Sequence, residues 1–161
     1  MKIDIMDKSK KKKILEQLEY LGVKKSNLLL LKSGKEKIRA FSGSFDVEEI
    51  YTLWRLFPVE GLGLYFAKQN IDRSGVKETR LSVDALHLLK DQITENIVYI
   101  SQEQEKSWFR GKDIDLEEPI KNKGFVAVKS KETEDFLGTG KVGQDKRTIF
   151  NFLPKERRVK N

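Results

Sequence analysis

Three short apolar runs near the C-terminus constrain this chain most: GFVAVKS (residues 124–130), DFLGTGKV (135–142) and RTIFNFL (147–153). Each is bounded by polar or glycine-containing turns, the pattern of strands rather than of helices. GQDK separates the last two and reads as a hairpin turn. Pro154 follows immediately and has no N–H with which to extend a ladder. The last strand must therefore end near Leu153, and the cations of KERRVK leave from a fixed point. Phe150 and Phe152 alternate with Asn151 and are read as core.

The segment before these strands adds short helices. TRLSVDALHLL gives a strand and then a helix capped by Ser82, with Ala85, Leu86 and Leu89 inward. NIVYIS (96–101) is a strand. Ser101 and Gln104 make a capping box for a helix through Trp108 and Phe109, closed by Gly111. Several short strands and two brief helices in some eighty residues predict a small, partly closed barrel.

The first half reads differently. Ile14, Leu15, Leu18 and Leu21 mark one face of a helix over residues 9–21, with Gly22 as its C-terminal cap. NLLLLK (27–32) and KIRAFS (37–42) flank SGKE as strand, turn and strand. Asp46 and Glu49 form a capping box before Ile50, Leu53, Trp54 and Phe57, and Pro58 stops that helix. GLGLYFAKQN (61–70) is a further strand, and IDRSGVKE (71–78) has the content of a linker. The expected fold is α+β, with a small N-terminal α/β domain over residues 1–75 and a second domain over residues 76–161.

Composition excludes several classes. There are 161 residues, 38% hydrophobic, enough for a core. There is no cysteine, so thiolate metal sites, disulfides and cysteine nucleophiles are ruled out. No apolar run approaches a membrane span, and the N-terminus lacks the apolar stretch of a secretory signal. The expectation is a cytoplasmic protein with no cofactor and no membrane partner. The formal charge of +7 is unevenly spread: residues 1–77 carry net +6, residues 78–140 net −4 and residues 141–161 net +5. A polyanion would be drawn to the two ends. Lys10–Lys13 crowd the first turn of a helix, which the helix dipole disfavours. They serve either a partner or a solvated helix start, and the second reading is preferred.

Other tempting motifs weaken on inspection. GTGKVG (138–143) lacks the Ser or Thr that a phosphate loop needs after its lysine, and its neighbours are strand-like, so bulges or a tight turn are preferred. His87 has no second histidine to complete a metal set or a triad. Asp113, Asp115, Glu117 and Glu118 have the spacing of a solvated acidic edge rather than of paired catalytic carboxylates. Trp108 and Phe109 stand beside Arg110, where stacking on a base is conceivable, but a helix more often turns such rings into the core.

RLSVDALHLL, FRGKDI (109–114), and DFLGTGKV followed by NFLPKERRV together resemble a PUA domain, an RNA-binding module. The resemblance covers about residues 78–160. It resembles the PUA-like segment of Sun/RsmF-type rRNA 5-methylcytosine methyltransferases and their small archaeal relatives. The first half is similar only in layout to the unit that precedes the PUA domain in the Nip family of ribosome-biogenesis factors. The resemblance implies a C-terminal PUA-like pseudo-barrel of mixed β-strands with short helices. It also implies RNA contact at Arg110, Gly111 and Lys112 and at Lys155, Arg157 and Arg158, with Lys160 a looser extension. Lys141, Lys146 and Arg147 lie next to that surface in the fold and are carried over with them. Arg and Lys neutralise phosphates, and Arg can grip two oxygens at once.

The catalytic part of such methyltransferases needs a cysteine and a cofactor domain, neither of which this chain can hold. The expected function is non-catalytic binding of rRNA, with tRNA second, in ribosome biogenesis, rRNA processing or RNA modification. The alternative is a protein-interaction subunit that docks a separately encoded rRNA methyltransferase or assembly factor, with Trp54 and Tyr65 as anchors if exposed.

Overall fold

The computed structural model describes residues 3–57, 59 and 61–160. Pro58, expected to stop a helix, lies outside them. The chain divides into two compact units. One comprises the chain up to Glu19 together with Lys24–Thr79; the other comprises Tyr20–Val23 together with the chain from Arg80 onward.

The first unit holds a sheet in the order β1-β2-β3-β4-β5: β1 (Ile3–Ile5), β2 (Leu29–Ser33), β3 (Lys37–Phe41), β4 (Leu64–Ile71) and β5 (Lys77–Leu81). β1, β2, β3 and β4 pair antiparallel in succession. β5 is the element along which the chain passes into the second unit. Residues 71–78 are not a linker. Asp72 folds them into a turn, its carboxylate accepting from the N–H groups of Ser74 and Val76, both at 2.8 Å. Self-capping by an aspartate is what makes such a polar, glycine-containing stretch a turn.

Helix α1 (Lys8–Glu16) is shorter than the periodicity predicts; residues Glu19–Leu21 form a separate 3-10 turn. Asp7 caps α1 by accepting from Lys10 N–H at 2.8 Å. Two of its crowded lysines have internal partners: Lys10 Nζ meets Asp4 at 2.8 Å, and Lys11 Nζ donates to Leu28 O at 2.7 Å. Helix α2 (Val47–Leu56) carries the expected capping box between Asp46 and Glu49.

The second unit holds α3 (Val83–Leu88), β6 (Ile97–Ile100), α4 (Gln102–Phe109), β7 (Ile114–Asp115), β8 (Phe125–Ser130), β9 (Phe136–Val142) and β10 (Thr148–Asn151). Its sheet runs β6-β8-β9-β10-β7 and curls into a half-barrel. β6 pairs with β8 in parallel, and the other ladders are antiparallel. The core gathers Val98, Ile100, Ile114, Val126, Val128, Ile149 and Leu153 around Trp108. Trp108 is fully buried and its indole N–H donates to Leu137 O at 3.0 Å, so the ring is core, as helical placement suggests.

The glycines of GTGKVG serve this packing. Gly138 lies at φ +145°, and a Cβ there would come within 3.3 Å of the Trp108 ring. A Cβ on Gly140 would come within 2.5 Å of Ile149. The N-terminal half also lends a piece to this unit: Leu21 O accepts from the N–H groups of Thr94 (3.0 Å) and Glu95 (3.2 Å), and Tyr20 O from Asn96 Nδ2 (2.5 Å). Gly22, at φ +92°, lets the chain pass against Gln92 and Thr94, where a Cβ would sit 2.6 Å from the Thr94 hydroxyl.

Candidate nucleic-acid interface

Helix α4 ends where its sequence says it should. Arg110 is the C-cap, and Gly111 takes φ +81° to turn the chain out. At the other end of the chain, Leu153 is buried and residues Lys155–Arg157 form a 3-10 turn after Pro154. One main-chain bond then ties these distant segments together, Val159 N–H donating to Phe109 O at 2.8 Å; within the C-terminal element, Arg158 Nε donates to Leu153 O at 3.0 Å. The Arg158 side chain crosses directly over Gly111: a Cβ on that glycine would lie 2.6 Å from Arg158 Nε. Asn151 completes the joint, its Nδ2 donating to Trp108 O (2.8 Å) and Lys112 O (2.9 Å).

The Arg110–Lys112 loop and the basic C-terminal element therefore form one edge. Arg110, Lys112, Lys155 and Lys160 are exposed on it and make no ion pair among the described residues. Arg157 is exposed too, but its guanidinium meets the Asp84 carboxylate at 2.6 Å. Such a surface pair is worth about 1 kcal/mol or less and can be exchanged for a phosphate. Beside this edge is a cleft of about 430 Å³ lined by Phe109, Phe136, Leu137, Leu153, His87 and Arg157 among others, roughly the size class of small-ligand sites.

The remaining expected residues are placed differently. Lys146 Nζ donates to Asn122 O at 3.1 Å. Arg147 donates from Nε to Leu116 O (3.1 Å) and from its terminal nitrogen to Glu117 O (2.8 Å). Both brace the segment over residues 116–122, and they precede β10 while the basic edge follows it. Asp145 organises the turn that carries both: hydrogen bonds from the Thr148 hydroxyl, then from the Thr148 and Arg147 N–H groups, hold its carboxyl pKa down at about 2.

Lys141 belongs to a second patch that sequence reasoning assembled only in part. It pairs across the ladders with Phe150 and Phe125, and its Nζ stands 4.9 Å over the Phe125 ring. Phe125 meets Phe152 edge to face at 5.5 Å. The Arg80 guanidinium lies 4.6 Å over Phe152. Phe150 is not core: it is 44% exposed, and Ile149 takes the inward position on β10 instead. Phe152 is half-buried beyond the end of the strand. Interleaved cations and aromatic faces suit single-stranded RNA, where phosphates and unstacked bases are both available. Neighbouring Ile149 and Phe150 cannot both face inward on one strand, but the sequence does not say which of them turns out.

His87 is exposed on α3, and Asp113, Asp115, Glu117 and Glu118 are exposed as an acidic edge. No group of acidic or histidine side chains suited to a metal ion occurs among the described residues. No helix among the described residues is long and apolar enough to cross a membrane.

A curled mixed sheet flanked by short helices, with a basic edge after its last strand, makes up the C-terminal pseudo-barrel. Residues 95–159 match the family model described as the methyltransferase RsmF PUA domain. This C-terminal segment is thus similar to the PUA domain of the Sun/RsmF proteins, and that family points to RNA binding. A search of the curated proteins finds no match to the chain.

Proposed function

We propose that this protein is a non-catalytic binder of rRNA, with tRNA the second candidate, acting in ribosome biogenesis or RNA modification. One observation carries the site: Arg158 lies across Gly111, so the two cationic segments form a single edge. Phosphates would meet Arg110, Lys112, Lys155 and Lys160, while Phe150 offers a ring to an unstacked base. Crosslinking the protein to RNA in cells and sequencing the attached fragments tests the reading. Enrichment of one rRNA region supports it; recovery of tRNA supports the second candidate; no enrichment over an unrelated protein overturns both.

A second reading, a subunit that docks an rRNA methyltransferase or assembly factor, is favoured by the surface of α2. Only Ile50 of that helix is buried, while Val47, Tyr51 and Leu56, with Phe45 and Phe57 at its ends, are exposed. The anchors expected for this role, Trp54 and Tyr65, are half-buried instead. Affinity capture after nuclease treatment decides: one such enzyme or factor retained by the wild type and lost from Leu56→Asp/Phe57→Asp supports docking, and loss of every partner with nuclease contradicts it.

A further inference from the structure

The half-barrel leaves a seam. In the order β6-β8-β9-β10-β7, β6 and β7 are the two edges. β6 pairs with β8 alone: Ala127 N–H donates to Asn96 O at 2.9 Å and Lys131 N–H to Ile100 O at 3.0 Å. Along a strand, alternate residues turn their N–H and C=O groups to opposite sides. Asn96, Val98 and Ile100 face β8, so the main-chain groups of Ile97 and Tyr99 face outward, with no partner among the described residues. Unpaired edges of this kind are templates for another strand.

These groups open into a groove of about 730 Å³ whose other walls are α4 and the segment over residues 115–122. Four carboxylates line it, Glu103, Asp115, Glu117 and Glu118, against one cation, Lys131. Glu103, Glu117 and Glu118 make no ion pair among the described residues. The groove is bridged by Asn122 Nδ2 to Asn96 Oδ1 at 2.8 Å and by Gln104 Nε2 to Asp115 O at 3.4 Å. Between those bridges β6 offers about 10–13 Å of edge, room for three or four extended residues. Arg147 holds the far lip through Leu116 O and Glu117 O.

We propose that this seam docks a short, extended, basic segment of a protein partner, added as a strand on β6 and held by the groove's carboxylates. Main-chain bonds to Ile97 and Tyr99 would give the segment its register, and side-chain cations its selectivity. The charge repels RNA, so the site is separate from the basic edge and does not depend on the RNA reading. The chain's own lysine run is helical in α1 and is not the extended segment required.

The test titrates the full chain against a fluorescein-labelled peptide, RVRVRVR, by anisotropy at physiological salt. The proposal expects saturable one-to-one binding and none for EVEVEVE. N-methylation of every second peptide residue, tried in both registers, should weaken binding at least tenfold in one of them. Glu103→Lys/Glu117→Lys, two exposed positions, should do the same with the thermal melt unchanged. Failure of RVRVRVR to bind overturns the proposal. So does equal binding of both methylated peptides, which would mean charge attraction without strand addition. Concentration-dependent dimerisation abolished by the charge reversal would assign the seam to a second copy and also overturn it.

Discussion

Arg158 lies across Gly111, with its Nε 2.6 Å from where a Cβ on that glycine would be. The contact joins positions far apart in sequence and needs two things of Gly111: no side chain, and a backbone at φ +81°. Gly124 shares the second requirement at φ +73° but has nothing within 4 Å. Gly124→Ala should thus cost about 1–2 kcal/mol for the left-handed backbone, and Gly111→Ala about 1 kcal/mol more, because displacing Arg158 loses its bond to Leu153 O. Only Gly111→Ala should also weaken RNA binding. Chemical melts and RNA titrations of both variants check this; equal RNA binding by the two would remove the contact from the site.

Trp108 holds α4 against β9 through burial and its bond to Leu137 O. Trp108→Ala should destabilise by about 3–5 kcal/mol. Trp108→Phe keeps most of the packing but leaves the buried carbonyl short of a donor, at about 1–3 kcal/mol. Urea unfolding followed by circular dichroism should order the three proteins accordingly.

Phe150 faces outward at 44% exposure. Phe150→Ala should leave the melting temperature nearly unchanged and weaken single-stranded RNA binding by about 1–3 kcal/mol, the usual loss for one stacked base. An unchanged affinity would take the ring out of the interface.

Asp145 has its folded pKa depressed from 3.8 to about 2 by the Thr148 hydroxyl and the Thr148 and Arg147 N–H groups. Depression favours the folded state when the carboxylate is charged. Its contribution is therefore fully present above the unfolded pKa and is lost as pH falls from about 4 towards 2. Melts from pH 7 to pH 2 should show a smaller acid-side decline in Asp145→Asn than in the wild type.

Local rules recovered much of this fold. The capping boxes at Asp46 and Ser101 are legible because their partners lie three residues away. The β8, β9 and β10 runs are legible because turns bound them. The three residues of β1 and the two of β7 are too short to leave a periodic trace. Tyr20–Val23 joins the C-terminal unit through main-chain bonds to Thr94 and Glu95, which no side-chain pattern announces. The candidate site was legible as two cationic segments, from the family resemblance and the charge distribution. That Lys146 and Arg147 spend their donors on carbonyls over 20 residues away in sequence was not. Nor was the outward turn of Phe150, since the run IFNFL admits either parity.

The central claim is that the Arg110–Lys112 loop and the C-terminal element bind RNA as one surface. The most direct measurement is the salt dependence of RNA affinity for Arg110→Gln/Lys112→Gln/Lys155→Gln, whose three side chains are exposed. With three cations withdrawn from the phosphates, the slope of log affinity against log salt should flatten by about 2, near 0.7 per neutralised phosphate on single strands. The fold should be intact, and the equivalent exchange at Lys12 and Lys13 should change the slope far less. An unchanged slope and affinity in the triple variant would contradict the account.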